Sequence, residues 1–476
     1  MNSDDNDFKN ISRRDFIKKT SLGIGSFMIV PRHVLGKGFI APSDKLNIAA
    51  VGLGGKGTSN IFPSWNNGSD NIVALCDVDD RMSKKVRDQF PKAPYYKDYR
   101  VLLEKEKNNI DAVIVSTPDH MHAVIAMSSM QLKKHVYVEK PLTHDIYEAR
   151  MLTEAAKKHK VVTQMGNQGT SGEGIRLIQE WYNAGLIGEV KEVYAWTNRP
   201  IWPQGLPRLE GNYPVPSELD FNLWLGTAPK REFHPMLLPF KWRGWWDYGT
   251  GALGDMACHI IDVPFKVLSL GYPNEVEASV VQSYIDDFKA GYFPDSCPPA
   301  SKIKFNFPGK NGKTDVKVTW LDGGILPDTP EELGLEESLQ DNGVLLIGSK
   351  GKILCGVYGA NPTLLPRKLM KEITLPPQSI ARVENGVGGH HQQWVKACKE
   401  GYGKGFTSSP FDYSGPLTET VLMGNLAVRS FNLKINGKFP GRKKLLWDGK
   451  NMKITNFDDA NQYVKRTYRE GYSLGV

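Results

Sequence analysis

"DKLNIAAVGLGGKGTSNIF", from Asp44 to Phe62, is the stretch that decides the fold. A short apolar run, Leu46 to Val51, leads into glycines spaced Gly52-x-Gly54-x-x-Gly57, and a helix-compatible stretch follows. Strand, glycine turn and helix in that order make a cradle for a dinucleotide. Gly52 permits the tight turn, Gly54 lets the backbone approach a pyrophosphate, and Gly57 lets helix and strand pack closely. The helix N-terminus then offers its free N–H groups to the phosphates. The next strand, "NIVALCDVD" from Asn71, carries Asp77 twenty residues beyond Gly57. That carboxylate suits a ribose diol and repels a 2′-phosphate, which favours NAD over NADP. Arg81, close by in sequence, weakens the preference.

The pattern continues outward from the cradle. "DAVIVSTPD" from Asp111 ends in Ser116-Thr117-Pro118, and "HVYVEKP" from His135 ends in Glu139-Lys140-Pro141. "KVVTQMGNQ" from Lys160 reads as a fifth strand, ending near Gly166-Asn167-Gln168. Helical stretches such as "HAVIAMSSMQL" and "IYEARMLTEAAKKH" separate the strands. Such alternation predicts a doubly wound parallel sheet, a Rossmann domain over residues 44–165, with ligand groups at the carboxyl ends of the strands. After Gly166 the chain changes character. "VKEVYAWTN", "EVEASVVQSY", "SKIKFNF", "DVKVTWLDGG" and "NGVLLIGSKGKILC" read as strands between Gly/Pro-rich turns. Late helices follow in "HHQQWVKACKE" and "LTETVLMGNLAVRSF". Residues 166–476 are therefore expected to form an α+β domain with an open, mainly antiparallel sheet. The fold class is α/β, and a sheet of that size suggests a homo-oligomer.

Bulk composition narrows the function. The 476 residues are 40% hydrophobic and 24% charged, with 11 Trp, 18 Tyr and 19 Phe, enough rings to fill a core and line a binding surface. Of the net charge of +8, residues Met1 to Pro42 hold seven basic and four acidic side chains, leaving about +5 for the rest with no long basic run. Nucleic acid is thereby excluded as the main partner. Cys76, Cys258, Cys297, Cys355 and Cys398 are scattered and lack C-x-x-C spacing, so neither a zinc knuckle nor a redox motif is expected.

Residues 1–43 read as an export leader. In "SRRDFIKKTSLGIGSFMIVP", Arg13-Arg14 precede ten mildly apolar residues, Ser21 to Val30. That run is too short to span a bilayer, and a paired arginine before it marks the twin-arginine kind of signal. Twin-arginine routes carry folded proteins, so a cradle filled in the cytoplasm fits a periplasmic or otherwise exported protein. No membrane attachment beyond this segment is expected.

"KWRGWWDYGTGALGDMACHIID", Lys241 to Asp262, should carry the chemistry. Asp255 and His259 are four apart, one turn of a helix, on one face. Trp242, Trp246 and Tyr248 offer flat faces to a sugar ring, with carboxylate and imidazole left for its hydroxyls. The alternative is a buried Asp–His pair tying helix to sheet. A metal at this pair is not expected, because Cys258 points to another helix face and no third ligand stands at metal spacing.

With its cradle at Gly52, its Glu139-Lys140-Pro141 and its "GALGDMACH" from Gly251, the chain resembles the Gfo/Idh/MocA oxidoreductases, a family that includes glucose–fructose oxidoreductase and inositol dehydrogenase. The resemblance covers everything from Asp44 on. It implies that Lys140 lies beside the nicotinamide and the reacting hydroxyl, that Asp255 orients substrate and histidine, and that His259 takes the hydroxyl proton. Thr117, Pro118, His122 and Glu139 match the loops along the cofactor. His120, His390 and His391 are weaker candidates, the last two with solvated helix-cap residues as the equal alternative. The Trp-rich lead-in and "FHPMLLPF" (Phe233 to Phe240) depart from the better-studied sugar dehydrogenases and leave the sugar unnamed.

Outside the cytoplasm little free NAD is available for exchange. The expected activity is therefore an NAD(P)-dependent oxidoreductase acting on a hydroxyl of a sugar or glycoside, with tightly bound cofactor and recycled hydride. The alternatives are a redox-neutral glycosidase or epimerase working through a transient keto-sugar, and a non-catalytic sugar-binding protein.

Overall fold

The computed structural model describes residues 44–475 apart from 310, 311 and 313. The leader lies outside the described residues. β1 (Asn47–Val51) is buried along nearly its whole length, the signature of a strand covered on both faces. It is followed by α1 (Lys56–Trp65), β2 (Asn71–Cys76), α2 (Asp80–Gln89), β3 (Tyr95–Tyr96), α3 (Tyr99–Glu106), β4 (Ala112–Val115), α4 (Asp119–Gln131), β5 (His135–Val138), α5 (Ile146–His159) and β6 (Thr163–Met165). The helix starts are written in the sequence. Asp79 and Asp98 accept from backbone N–H groups at the heads of α2 and α3, and Asp145 with Glu148 forms a capping box on α5.

These six strands pair in the order β3-β2-β1-β4-β5-β6, all parallel. The order reverses between β1 and β4, so the crevice for a ligand opens above their carboxyl ends. The two-residue β3 at the sheet edge is the strand that periodicity misses, because two tyrosines carry no readable alternation.

The second half runs α6 (Glu173–Asn183), β7 (Val190–Trp196), α7 (Phe221–Leu225), α8 (Gly251–Ile260), α9 (Asp262–Val267), β8 (Glu275–Val280), β9 (Tyr284–Asp286), β10 (Lys289–Ala290), β11 (Ser301–Phe307) and β12 (Val316–Leu321). It continues with β13 (Gly343–Gly348), β14 (Lys352–Cys355), β15 (Thr363–Leu365), α10 (Leu369–Glu372), α11 (His390–Glu400), α12 (Phe411–Asn432), β16 (Leu445–Asp448) and β17 (Lys453–Ile454). Among the described residues nine strands form one sheet, β15-β14-β13-β7-β12-β11-β8-β16-β17. It is mainly antiparallel, as expected, with one parallel contact between β7 and β12. β11 alternates buried and exposed residues, and its Lys304 stands opposite Glu277 on β8. "NGVLLIGSKGKILC" is a hairpin of β13 and β14 rather than a single run.

Two late helices tie the halves together. Trp394, Val395, Ala397 and Cys398 of α11 share a core with Ile48, Ala50 and Ile114 of the parallel sheet. On α12, Glu419 accepts both Arg150 Nε and Arg150 Nη2 of α5 at 2.8 Å, while Gly424 leaves room for Leu253 of α8 and Phe305 of β11. All five cysteines are buried and unpaired. Among the described residues no helix is long and apolar enough to cross a membrane, and no cluster of His, Cys, Asp and Glu could hold a metal.

Candidate functional site

A cavity of about 520 Å³ opens at the crevice between β1 and β4. Its floor at one end is the glycine turn. Gly52 sits at φ +83°, and a Cβ there would lie 2.6 Å from the Ser116 carbonyl, so the turn and the strand end beside it exclude any side chain. Gly54 lines the cavity; Gly57 does not, because it packs against the Gly52 carbonyl at the helix–strand junction. Asp77 borders the cavity at the end of β2. Its Oδ2 accepts the Leu53 N–H at 2.8 Å and its Oδ1 the Asp79 N–H at 3.0 Å, so the carboxylate braces the glycine turn as well as facing the opening. Burial raises its proton affinity, against the pull of those N–H groups. Arg81 is drawn away into a bidentate pair with Asp79.

Thr117, Pro118, His122 and Glu139 line the middle of the cavity. The Thr117 hydroxyl is buried without a hydrogen-bond partner among the described residues, an open polar valence in a ligand site. The ring nitrogens of His122 lie 2.8 Å from the carbonyls of Pro141 and Thr117, which joins the two strand-end loops. Glu139 accepts from Asn60 Nδ2 at 3.0 Å, and Asn60 in turn pairs with His391 Nε2 at 3.0 Å. His391 and His390 are thus buried supports of the crevice floor, not solvated caps. His390 contacts the Met165 carbonyl and the Ser171 hydroxyl. His120 likewise is structural, its Nε2 3.0 Å from the Trp224 carbonyl.

At the far end stands a buried ion pair. Lys140, just past β5, donates to Asp255 Oδ1 at 2.8 Å and to the Asp255 carbonyl at 2.6 Å. The two side chains are only 14% and 16% exposed, so the pair is partly dry and each charge depends on the other. Burial opposes ionisation of Asp255, but Lys140 and then Arg243 outweigh it and hold the carboxyl below its usual range. Burial likewise works against the charge on Lys140, and Asp255 outweighs it. Arg243 approaches Asp255 with Nε at 3.5 Å, its guanidinium 4.3 Å from the rings of both Phe240 and Trp242.

His259 lies one turn along α8 from Asp255, buried, and outside the lining of this cavity. Burial, then the Lys140 charge, push its imidazole well below the usual range, so it is neutral near pH 7. Its Nδ1 has no hydrogen-bond partner among the described residues. Tyr358 packs edge-on against the ring at 4.9 Å. Tyr358 itself occupies left-handed backbone at φ 64°, a conformation that costs a non-glycine residue energy and clusters at functional sites. Sequence reading missed both Arg243 and Tyr358. The first was legible inside the "WRGWW" stretch; the second carries no motif.

The aromatic platform needs correcting. Of the three expected rings, Trp242 alone lines the cavity. Tyr248 is wholly buried against Trp224, at 4.8 Å, and Trp246 faces a separate small cavity beside His144 and Arg429. The order of rings in sequence did not reveal that the chain turns between Trp242 and Trp246, sending successive rings to different sides.

The segment between β7 and α8 roofs the cavity. Asp220 N–H donates to the Val78 carbonyl at 2.9 Å, and the Glu218 carbonyl accepts from Asp80 N–H at 3.1 Å and from Lys97 Nζ at 3.0 Å. Leu223, Trp224, Leu238, Pro239 and Phe240 of this segment line the same space as the glycine turn.

Comparison with known proteins agrees with this architecture. Residues 46–167 match the model of an oxidoreductase family with an NAD-binding Rossmann fold, and residues 185–288 match that family's C-terminal alpha/beta domain. The alpha-N-acetylgalactosaminidase of Shewanella oneidensis is 27% identical over 206 residues, which cover 38% of this chain and 44% of that protein. The match thus spans less than half the length of that relative. Among solved structures, the WlbA dehydrogenase of Bordetella pertussis in complex with NADH and UDP-GlcNAcA has a TM-score of 0.53 at 15% identity, covering 80% of this chain and 95% of that one. An inositol dehydrogenase homolog of Azotobacter vinelandii complexed with NADH and myo-inositol gives 0.50 at 16% identity, covering 79% and 93%. These two likenesses are of fold. The two matched segments, in this order along the chain, are similar to the two domains of the Gfo/Idh/MocA oxidoreductase family.

Proposed function

We propose that the protein is an NAD-dependent oxidoreductase that acts on a hydroxyl of a sugar or glycoside, keeps its cofactor bound and returns the hydride within each cycle. One observation carries the reading: the Lys140–Asp255 pair lines the same cavity as Gly52, Gly54 and Asp77. The donor set fits a dinucleotide. Asp77 faces the ribose position, the head of α1 the phosphates, and the unpartnered Thr117 hydroxyl the middle of the crevice. When bound, the nicotinamide supplies the hydride acceptor and donor. Lys140 stabilises the alkoxide that develops as the hydroxyl loses its proton. Asp255, held ionised, keeps Lys140 charged and aimed. His259, neutral and one helical turn beyond Asp255 behind the cavity wall, is assigned that proton by the family resemblance and not by a contact within the cavity. Asp77 supports NAD over NADP, and Arg81 offers little to a 2′-phosphate while it is paired with Asp79. The roof over the cavity supports tight retention.

The test is to purify the protein without added cofactor, denature it and identify released dinucleotide by mass spectrometry. Stoichiometric NAD is the expected result; an empty cradle with exchangeable cofactor overturns retention and recycling. Fusion of residues 1–43 to a reporter tests export, which should require Arg13-Arg14.

A second reading rests on the similarity to an alpha-N-acetylgalactosaminidase. Here the hydroxyl is oxidised transiently, elimination and water addition replace the aglycone, and the hydride returns, for net glycoside hydrolysis. Release of nitrophenol from nitrophenyl N-acetyl-α-galactosaminide without net NAD reduction would select it. A purely sugar-binding protein is disfavoured by the presence of Lys140, Asp255 and His259 together.

A further inference from the structure

Residues 466–475 run back along the first half of the molecule to the Asp77 end of the cavity. Arg466 is anchored by Glu148 Oε1 at 2.7 Å and by the His120 carbonyl. Arg469 grips the roof, donating to the Asn222 carbonyl at 2.8 Å, the Asn222 amide oxygen at 2.7 Å and the Gly226 carbonyl at 2.9 Å. Beyond it, the Gly471 carbonyl accepts from Arg100 Nη1 at 3.2 Å, Leu474 is buried in the main core, and the Gly475 carbonyl accepts from Gln131 Nε2 at 2.8 Å. Tyr472 lies between these ties. Its ring sits 4.9 Å from the Arg100 guanidinium and 5.4 Å from that of Arg469, and it lines the cavity with Asp77, Met82, Lys97, Asp98 and Tyr99.

The position of Asp77 makes this the adenosine end of the crevice, since the acidic residue after the second strand meets the adenosine ribose. An aromatic ring held rigidly there gives contact area to a purine at little conformational cost. Arg469 couples that ring to the roof, so the two segments that cover the groove are fastened to each other.

We propose that Tyr472 is a binding residue for the adenosine half of the dinucleotide, and that the segment Arg466–Gly475 is a latch that must lift, with the roof, before the cofactor leaves. The inference rests on the functional reading above, which assigns the cavity to NAD, and it adds which residues retain it.

The test uses the full chain loaded with NADH and chased with excess NAD, with release followed by loss of bound nicotinamide fluorescence. Tyr472→Ala and Arg469→Ala should release NADH at least about tenfold faster, because base–aromatic contacts of this kind act mostly on the off-rate. Tyr472→Phe, which keeps the ring, should stay near the wild-type rate and controls for folding. AMP affinity should fall in Tyr472→Ala while nicotinamide mononucleotide affinity does not. Wild-type release in both alanine variants overturns the latch, as does equal loss of affinity for the two half-molecules. A wild-type chain that carries no dinucleotide as purified and also takes up no NADH overturns the functional reading along with it, so the two failures are told apart.

Discussion

At one end of the cavity the chain presents backbone, and at the other it presents side chains. The glycine turn is local: six residues, Gly52 to Gly57, build it from absences of Cβ, and the strand end at Ser116 enforces them. The Lys140–Asp255 pair is long-range, joining residues 115 positions apart across two domains. The first depends on shape and tolerates little; the second depends on charge and is stabilised or spoiled by whatever stands next to it, here Arg243. A binding end built from backbone and a reactive end built from paired charges should therefore respond to mutation in opposite ways.

The largest expected effect is on turnover. Lys140→Ala and His259→Ala should each cut it by roughly 10²–10³-fold while bound NAD stays stoichiometric, measured by reduction of bound nicotinamide with a panel of sugars. Full activity in both would dissolve the distinction between the two ends. Gly52→Ala should do the reverse. It should lower stability by about 3 kcal/mol in chemical unfolding and empty the cradle, since the new methyl group meets backbone at 2.6 Å in a left-handed conformation.

The next effect is on pH dependence. Burial holds His120, His390 and His391 at about 3, well below their unfolded value. Their folded pKa values are depressed, so the stability they contribute is full above about 6.5 and is lost as pH falls toward 3. Each accounts for at most about 1.4 kcal/mol per pH unit in that window, and unfolding midpoints between pH 7 and 4 measure the sum. Arg243→Met should act only at the reactive end. It removes a cation from Asp255, so the acid limb of the turnover profile should move to higher pH while NAD retention is unchanged. The smallest effect belongs to Tyr248→Phe. Its buried hydroxyl makes no hydrogen bond of normal geometry and has the Arg231 guanidinium as a polar neighbour, so removing it should change stability by under about 1 kcal/mol and leave sugar affinity untouched. A large loss of sugar affinity would restore Tyr248 to the substrate platform.

The same contrast explains what the sequence made legible. Strand, glycine turn and helix are neighbours in the chain, so the parallel sheet and the cradle could be read directly. Asp255 was read from its helical spacing to His259, but Lys140 entered through a family resemblance and its pairing with Asp255 was not read, because spacing along a chain says nothing about a contact across 115 residues. The "WRGWW" stretch shows the limit most clearly. Two tryptophans and a tyrosine looked like one surface, yet Trp242 lines the cavity, Tyr248 packs in the same apolar cluster away from it, and Trp246 belongs to the main core beside a second, small cavity. Tyr358 was invisible for a different reason: its significance lies in a backbone angle and in the ring of His259 beside it, neither of which has a sequence signature.

Helix α11 has a consequence for how the molecule comes apart. It is donated by the second half of the chain, yet Trp394 and its neighbours complete the core beneath β1 and β4. A fragment ending near residue 165 would leave that hydrophobic face bare and should aggregate rather than fold. In calorimetry the intact protein should melt in one cooperative transition, because neither half owns all of its own interior.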